Sequence, residues 1–371
     1  MTGGGTGGHV YPAIAVLEAL QALLPAPPDV VWIGTKRKEA EILRDYGIRL
    51  LTVDILPPRR SIDFSAVAQN LRLAWNLLSG KAVGQAAIHL REFRPNLLIG
   101  TGAYVAYPAC IAATRLKIPL YLIEPNYIPG LVTRKTAAKA KVVYCAFEEA
   151  AAALGPRANC NVTGAPIRSY SGKLDREAIL EKYGLQSGRK TILVIGGSTG
   201  ASFVNRAVFD YILPWIQGDS GITPSVQILH QTGKVEIHEA TEWRSKLSFP
   251  YMPIDYIRDS PEVLHIADVF VGRSGANSVA EVAKFGLPSV FIPYSHHKDK
   301  QQILNAMPLA KEGLACIHLE EGFNGARFID DLSEMLRACH NEELRKRIRE
   351  FDSDAARVIA AQIAADVQAF K

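Results

Sequence analysis

Three short segments carry residues fitted to hold a charged, hydroxyl-rich ligand. The run Gly3-Gly4-Gly5-Thr6-Gly7-Gly8 ends at His9, where a helical pattern begins. Glycines allow positive φ and close backbone approach, and a following helix offers free N–H groups to an anion. A second run, Gly196-Gly197-Ser198-Thr199-Gly200, follows the apolar stretch 191–195 and suits phosphate equally well. Each run alone also fits an ordinary tight turn. The first formally contains GxGxxG, but a dinucleotide site would carry an acid about 20 residues on for the ribose. Here Val30-Val31-Trp32-Ile33 ends in Gly34-Thr35 instead. The third segment, 273–281, reads RSGANSVAE after an apolar strand. Ser274 and Gly275 open a helix whose first turn, Ala276-Asn277-Ser278, would offer N–H groups and a hydroxyl to a diphosphate. Glu281, one turn in, could accept hydrogen bonds from a ribose diol; the plain alternative is a solvated helix residue. Residues 296–305, dense in amides, histidines and charge, follow another strand, and sugar hydroxyls need such directed partners.

The elements that must position these residues alternate along the chain. Runs at 30–33, 97–99, 120–123 and 142–145 read as strands of one sheet, and 191–195, 227–229, 269–271 and 289–292 as strands of a second. A helix-length segment follows most of them. That alternation predicts an α/β fold with parallel sheets and helices on both faces. The echo of GGGTGG by GGSTG, one per half, predicts two Rossmann-like domains whose glycine loops face a cleft at the carboxyl ends of the strands. The expected domains are 1–163 with 352–371, and 164–351. One expectation is awkward: only Met1 and Thr2 precede the first glycine loop, so its supporting strand looks missing.

At 371 residues the chain suits two domains. Hydrophobic residues at 48% and charged residues at 21% fit a soluble globular protein. A net charge of +5, with no basic run interleaved with aromatics, argues against nucleic acid. The five cysteines, Cys110, Cys145, Cys160, Cys316 and Cys339, are widely spaced and read as reduced cytoplasmic thiols. The glycine-rich start has no apolar stretch, so no secretion signal is expected.

Together the strings GGGTGGHVYPAIAV, GTGAYVAYP, EPNYIPG, GAPIR, GGSTGASFVN, HQTGK, RSGANSVAE and HKDKQQILNA, in this order from residue 3 to 306, resemble the MurG family of GT-B glycosyltransferases. The resemblance covers nearly the whole chain. It implies a GT-B fold, two Rossmann-like domains with parallel sheets facing a cleft. It implies an inverting transfer of GlcNAc from UDP-GlcNAc to the 4-OH of MurNAc in undecaprenyl-diphospho-MurNAc-pentapeptide. Donor contacts would come from Thr6, Gly7, Gly8, Asn126, Arg168, Ser198, Ala276, Asn277, Ser278 and Glu281. Ile257 would present its backbone to the uracil, with Tyr256 nearby, and Gln301 and Gln302 would bind GlcNAc hydroxyls. Gly4, Gly5, Thr6, Gly7, Gly8 and Tyr104 would line the acceptor diphosphate side. His9 or Glu124 would be the general base, a choice the residues leave open. Thr199 stands where the family usually has Gln. The nearest acidic pair, Asp330-Asp331, sits away from the expected site, so neither metal nor other cofactor is expected. The alternatives are another GT-B nucleotide-sugar enzyme, such as a glycolipid synthase or a UDP-GlcNAc 2-epimerase, or a non-catalytic nucleotide-sugar-binding membrane module.

A lipid-anchored acceptor implies a peripheral enzyme on the cytoplasmic face of the membrane, with other cell-wall synthesis proteins open as partners. Residues 55–94 carry six basic side chains, Arg59, Arg60, Arg72, Lys81, Arg91 and Arg94, against Asp63 and Glu92. Phe64, Val67, Ala68, Leu71, Trp75 and Leu78 recur there at helical spacing and form either a core face or an insertion surface. Pro57-Pro58-Arg59-Arg60 should project as a basic loop and dock on anionic lipid.

Overall fold

The computed structural model describes residues 1–4, 7–57, 80–168, 174–197, 200–295 and 299–368, with Lys38 through its backbone alone. The expected basic tip and apolar face at 58–79, as well as Gly5, Thr6, Ser198 and Thr199, lie outside the described residues. The chain forms two units, 1–168 with 354–371, and 169–353.

Unit 1 holds the strands β1 (Val31–Gly34), β2 (Arg49–Thr52), β3 (Leu98–Gly100), β4 (Leu120–Glu124), β5 (Val142–Cys145) and β6 (Cys160–Val162). β1 pairs with β2, and β3 to β6 pair in sequence order, all parallel. No strand element precedes the first glycine run, as expected, but its N-terminal side is supported: Thr2 takes the first strand's place as a single bridged residue. Thr2 bridges in parallel to Ile33 on one side and Gly100 on the other. The Thr2 amide donates to Ile99 at 2.9 Å, the Thr101 amide to Thr2 at 3.0 Å, and the Ile33 amide to Met1 at 2.9 Å. Two residues held from both sides need no length or periodicity of their own to occupy a central strand position. The order is therefore β2-β1-Thr2-β3-β4-β5-β6.

Unit 2 has β7 (Lys190–Ile195), β8 (Val226–Gln231), β9 (Tyr251–Ile254), β10 (Val269–Gly272), β11 (Ser289–Phe291) and β12 (Ala315–Ile317), ordered β12-β11-β10-β7-β8-β9. Its pairings are also parallel. Both sheets share the doubly wound order, which reverses direction beside the first strand of each unit. Ligands bind such sheets at that reversal, beyond the carboxyl ends of the strands. In unit 1 the reversal lies between Thr2 and β3; in unit 2 it lies between β7 and β10.

Alternation along the strands loads both faces. Ile192 and Val194 pack into one core layer, while Leu193 packs into the other. In unit 1, Ile99, Tyr121, Ile123 and Tyr144 are covered by Ala355, Ile359, Ala360 and Ile363 of the helix Ala355–Gln368. Tyr121 donates its hydroxyl to Asp366 at 2.5 Å, and Lys141 pairs with the same carboxylate at 2.9 Å. The C-terminal helix is thus part of the unit 1 core, tied by a polar anchor at its far end.

A buried polar cluster braces β8. Asn205 donates through Nδ2 to the Thr232 carbonyl at 2.8 Å, so its Oδ1 accepts from His230 Nε2 at 3.0 Å. His230 Nδ1 then accepts from the Tyr251 hydroxyl at 2.8 Å. Burial drops the His230 imidazole from its ordinary 6.5 to about 3. The unfolded chain takes up this proton below about 6.5 and the folded chain refuses it until about 3. Stability from this group is therefore present above 6.5 and lost as pH falls across that window. Urea unfolding should weaken by up to about 1.4 kcal/mol per pH unit there from His230 alone. His230→Gln should flatten that slope; an unchanged slope would assign the acid sensitivity elsewhere.

Candidate active site

At the reversal in unit 1, the glycine run after Thr2 meets Thr101-Gly102 after β3. His9 is half-buried in the first turns of the helix Gly7–Leu23. Its Nδ1 lies 2.8 Å from the Thr101 carbonyl oxygen. A carbonyl only accepts, so in the neutral ring Nδ1 carries the hydrogen and Nε2 keeps the lone pair. The Thr101 hydroxyl donates back to the His9 carbonyl, so one threonine fixes both ring and backbone.

The turn that brings Thr101 there is unusual. Gly102 has φ 86 and ψ −154, a region essentially reserved for glycine, and Ala103 follows at φ 58. A Cβ on Gly102 would lie 3.6 Å from His9 Nδ1 and 4.0 Å from Thr133 Oγ1. Thr133 donates to Glu124 Oε2 at 2.6 Å. His9 and the Glu124 assembly therefore flank the same glycine.

Glu124, at the end of β4, is 3% exposed. Its Oε2 accepts from Thr133 and from the Gly130 amide at 2.8 Å. Its Oε1 accepts from Asn126 twice, through the backbone amide at 3.2 Å and through Nδ2 at 3.1 Å. Four hydrogen bonds fill the carboxylate, which makes it the organiser of the loop 125–130. His9 has the opposite arrangement, with its ring anchored by one nitrogen and the other basic.

Tyr104 has a buried hydroxyl with no hydrogen-bond partner among the described residues. Burial raises its pKa, so the phenol keeps its proton and an unused donor. Gly4 rests on the buried Glu39 carboxylate, and a Cβ there would fall 2.8 Å from Glu39 Oε1. That negative charge works against an anion seated directly on Gly4. Gly7 is buried and Gly8 exposed at the helix start. Arg168 closes unit 1: its guanidinium carbon stacks 4.5 Å from the Tyr11 ring centroid, and Nη1 donates to the Tyr46 hydroxyl at 2.8 Å.

At the reversal in unit 2, β10 leads through Arg273 and Ser274 to Gly275, which caps the helix Ala276–Phe285. Ala276, Asn277 and Ser278 form its half-buried first turn. Asn277 Oδ1 is buried without a partner among the described residues. Glu281 is half-buried and accepts from Ser260 Oγ at 2.8 Å. Ser260 opens its own helix three residues beyond Ile257, so the segments expected to meet base and ribose are joined. Tyr256 is half-buried and Ile257 buried. Gln302 is pinned: its Oε1 accepts from the Tyr294 amide at 2.9 Å and its carbonyl from Ser274 Oγ at 2.8 Å. Gln301 begins the helix Gln301–Lys311 beside it. The loop before them is braced by Arg273, which donates to the Ile292 carbonyl at 2.9 Å and pairs with Glu320 at 2.5 Å. Thr101, Thr133, Ser260 and Arg273 were not singled out in the sequence. All four act through neighbours: Thr101 and Arg273 sit inside quoted strings, Thr133 lies three residues past one, and Ser260 three residues past Ile257.

Two family models match the chain, the Glycosyltransferase family 28 N-terminal domain over residues 1–145 and the Glycosyltransferase family 28 C-terminal domain over residues 191–363. A relative from Desulfitobacterium hafniense (strain Y51) is named UDP-N-acetylglucosamine--N-acetylmuramyl-(pentapeptide) pyrophosphoryl-undecaprenol N-acetylglucosamine transferase. It is 33% identical over 336 residues, covering 88% of this chain and 86% of its own. The chain belongs to glycosyltransferase family 28. A relative of the same name from Lactococcus lactis is 34% identical over 341 residues, covering 91% and 89%. The crystal structure of Acinetobacter baumannii MurG superposes with a TM-score of 0.71 at 24% identity over 98% of each chain. The UDP-GlcNAc 2-epimerase of Neisseria meningitidis does so with 0.64 at 15% identity, over 96% and 97%. These solved structures establish the GT-B fold for this family 28 chain.

Proposed function

We propose that this chain is the inverting N-acetylglucosaminyltransferase that moves GlcNAc from UDP-GlcNAc to the 4-OH of MurNAc in undecaprenyl-diphospho-MurNAc-pentapeptide (lipid I). The product is lipid II, for peptidoglycan synthesis. What carries the reading within family 28 is a ring nitrogen with its lone pair free of the anchoring bond at one sheet reversal, His9 Nε2, and at the other a helix start that offers N–H groups, where Asn277 Oδ1 has no partner among the described residues.

Unit 2 binds the donor and unit 1 the acceptor in this reading. The acceptor 4-OH attacks C1 of GlcNAc from the face opposite the diphosphate. His9 Nε2 takes the hydroxyl proton as the C1–oxygen bond forms, while the old C1–oxygen bond breaks and its electrons leave with UDP. One displacement turns the α-linked donor into a β-1,4 product, with no covalent enzyme intermediate. The growing charge on UDP is met by the N–H groups of Ala276, Asn277 and Ser278 and, in this reading, by the Arg168 guanidinium. Glu124 holds the loop from which Asn126 reaches the sugar.

The acceptor is anchored in a bilayer, so the chain must work at its surface, on the cytoplasmic face. Among the described residues no helix is long and apolar enough to cross a membrane. The helix Lys81–Phe93 exposes Lys81, Ile88 and Arg91, with Arg94 exposed just beyond. Lys81 is paired with Asp54 at 3.2 Å, and Arg91 and Arg94 outweigh the exposed Glu92 between them, so the face by Ile88 keeps a basic balance that suits anionic lipid.

Donor binding tests the assignment of unit 2. Glu281→Ala should weaken UDP-GlcNAc binding by roughly 10- to 100-fold, the loss of a carboxylate–diol contact. Calorimetry giving an unchanged affinity would take Glu281 out of the donor site.

A further inference from the structure

The string HQTGK contributes one side chain to which the proposed chemistry gives no part. Gln231 ends β8 and is 3% exposed. Its Nε2 donates to the Gly197 carbonyl at 2.7 Å, and its Oε1 accepts from the Ile257 amide at 2.9 Å. Both ends of one amide are therefore committed, and the orientation of that amide is fixed by its partners. Gly197 belongs to the second glycine loop, at φ 99. Ile257 begins the stretch that leads to Ser260 and, through it, to Glu281.

The two glycines at the other end of this bridge, Gly197 and Gly200, are closely held. The Gly200 amide donates to the same Gly197 carbonyl at 3.0 Å. Gly200 lies at φ 79, and a Cβ on it would fall 2.3 Å from the Thr232 carbonyl oxygen. That carbonyl is held in turn by Asn205 of the buried cluster, at 2.8 Å. The end of β8 thus lies against Gly200, meets Ile254 through the Thr232 amide at 2.9 Å, and meets the Ile257 amide through the Gln231 side chain.

We propose that Gln231 is a positioning residue of the donor site, which sets the backbone that meets the nucleobase at a fixed place relative to the turn that meets the phosphates. The inference rests on unit 2 being the UDP-sugar unit. A nucleoside diphosphate spans base and phosphate rigidly enough that the two recognition segments must keep a set separation, and a side chain hydrogen-bonded to both supplies it. Leucine at 231 matches glutamine in bulk and removes both bonds. Glutamate keeps the acceptor for Ile257 but turns a second oxygen lone pair on the Gly197 carbonyl. Once protonated, glutamate is isosteric with glutamine and can again donate to Gly197.

That chemistry gives a readout which a purely structural role does not share. UDP binding is measured by calorimetry for the wild type, Gln231→Leu and Gln231→Glu, at pH 8 and at pH 5.5, each variant as a ratio to the wild type at the same pH. Gln231→Leu should bind UDP roughly 10-fold or more weakly at both pH values, the loss of two buried hydrogen bonds. Gln231→Glu should be as weak at pH 8 and recover most of the deficit at pH 5.5. In turnover, Gln231→Leu should raise the KM for UDP-GlcNAc with kcat within about threefold. A Gln231→Glu deficit that is the same at both pH values, or Gln231→Leu binding within twofold of the wild type, overturns the proposal while leaving unit 2 as the donor unit. Wild-type protein that does not bind UDP overturns both.

Discussion

Replacement of His9 by alanine is expected to cut turnover by roughly 100-fold or more while UDP-GlcNAc affinity stays within about threefold. The expectation follows from the hydrogen bond between its Nδ1 and the Thr101 carbonyl, which leaves Nε2 as the basic nitrogen. Removing the ring removes the proton acceptor and one hydrogen bond to the Thr101 carbonyl, while the bond from the Thr101 hydroxyl to the His9 backbone survives the substitution. His9→Gln should do no better, since an amide cannot accept the proton. The decisive comparison is kcat against donor affinity measured on the same preparation. Turnover within about fivefold of the wild type would exclude His9 as the base.

The second large effect is of a different kind. Glu124→Ala should destabilise unit 1 by about 3 kcal/mol or more, because four donors lose their acceptor in a buried site. Two of those donors are backbone amides of the loop 125–130, so the loop that carries Asn126 should lose its order, and activity should fall with it. Glu124→Gln keeps the volume but points an amide NH₂ at donors on one side. It should show an intermediate urea midpoint and a smaller activity loss than His9→Ala at temperatures where both are folded. A base behaves otherwise. If Glu124→Gln kept full stability and lost turnover as completely as His9→Ala, the proton would belong to Glu124.

The parts of the fold that the sequence revealed are those buried on both faces. The runs at 30–33, 97–99, 120–123, 142–145, 191–195, 227–229, 269–271 and 289–292 became the interior strands β1, β3, β4, β5, β7, β8, β10 and β11. An interior parallel strand reads as an unbroken apolar run because helices cover both its sides. The four strands not anticipated, β2, β6, β9 and β12, are all edges, short and partly exposed. β9 even contains Pro253, which an edge tolerates. Thr2 was hidden for another reason: a single bridged residue held by its neighbours carries no pattern of its own.

The candidate site was legible where a residue type suggests a chemistry and the fold places it at a sheet reversal, as with His9, Glu124 and Glu281, whose roles remain proposals. It was opaque where the chemistry is done by a partner. Nothing about Thr101 as a residue says that its carbonyl will select a histidine tautomer; that depends on a glycine turn at φ 86 placing it there. Gln231 sat inside a quoted string without a role, because bridging two segments is a property of the folded backbone. The separate duties proposed for His9 and Glu124 likewise rest on the hydrogen bonds around each, which no residue type announces.

The most direct test of the assignment is turnover of the purified chain with labelled UDP-GlcNAc, in detergent micelles with and without lipid I. The account expects UDP release and a β-1,4-linked disaccharide lipid in equal amounts, both dependent on lipid I. Consumption of UDP-GlcNAc at the same rate without lipid I, or its conversion to the 2-epimer, would contradict it.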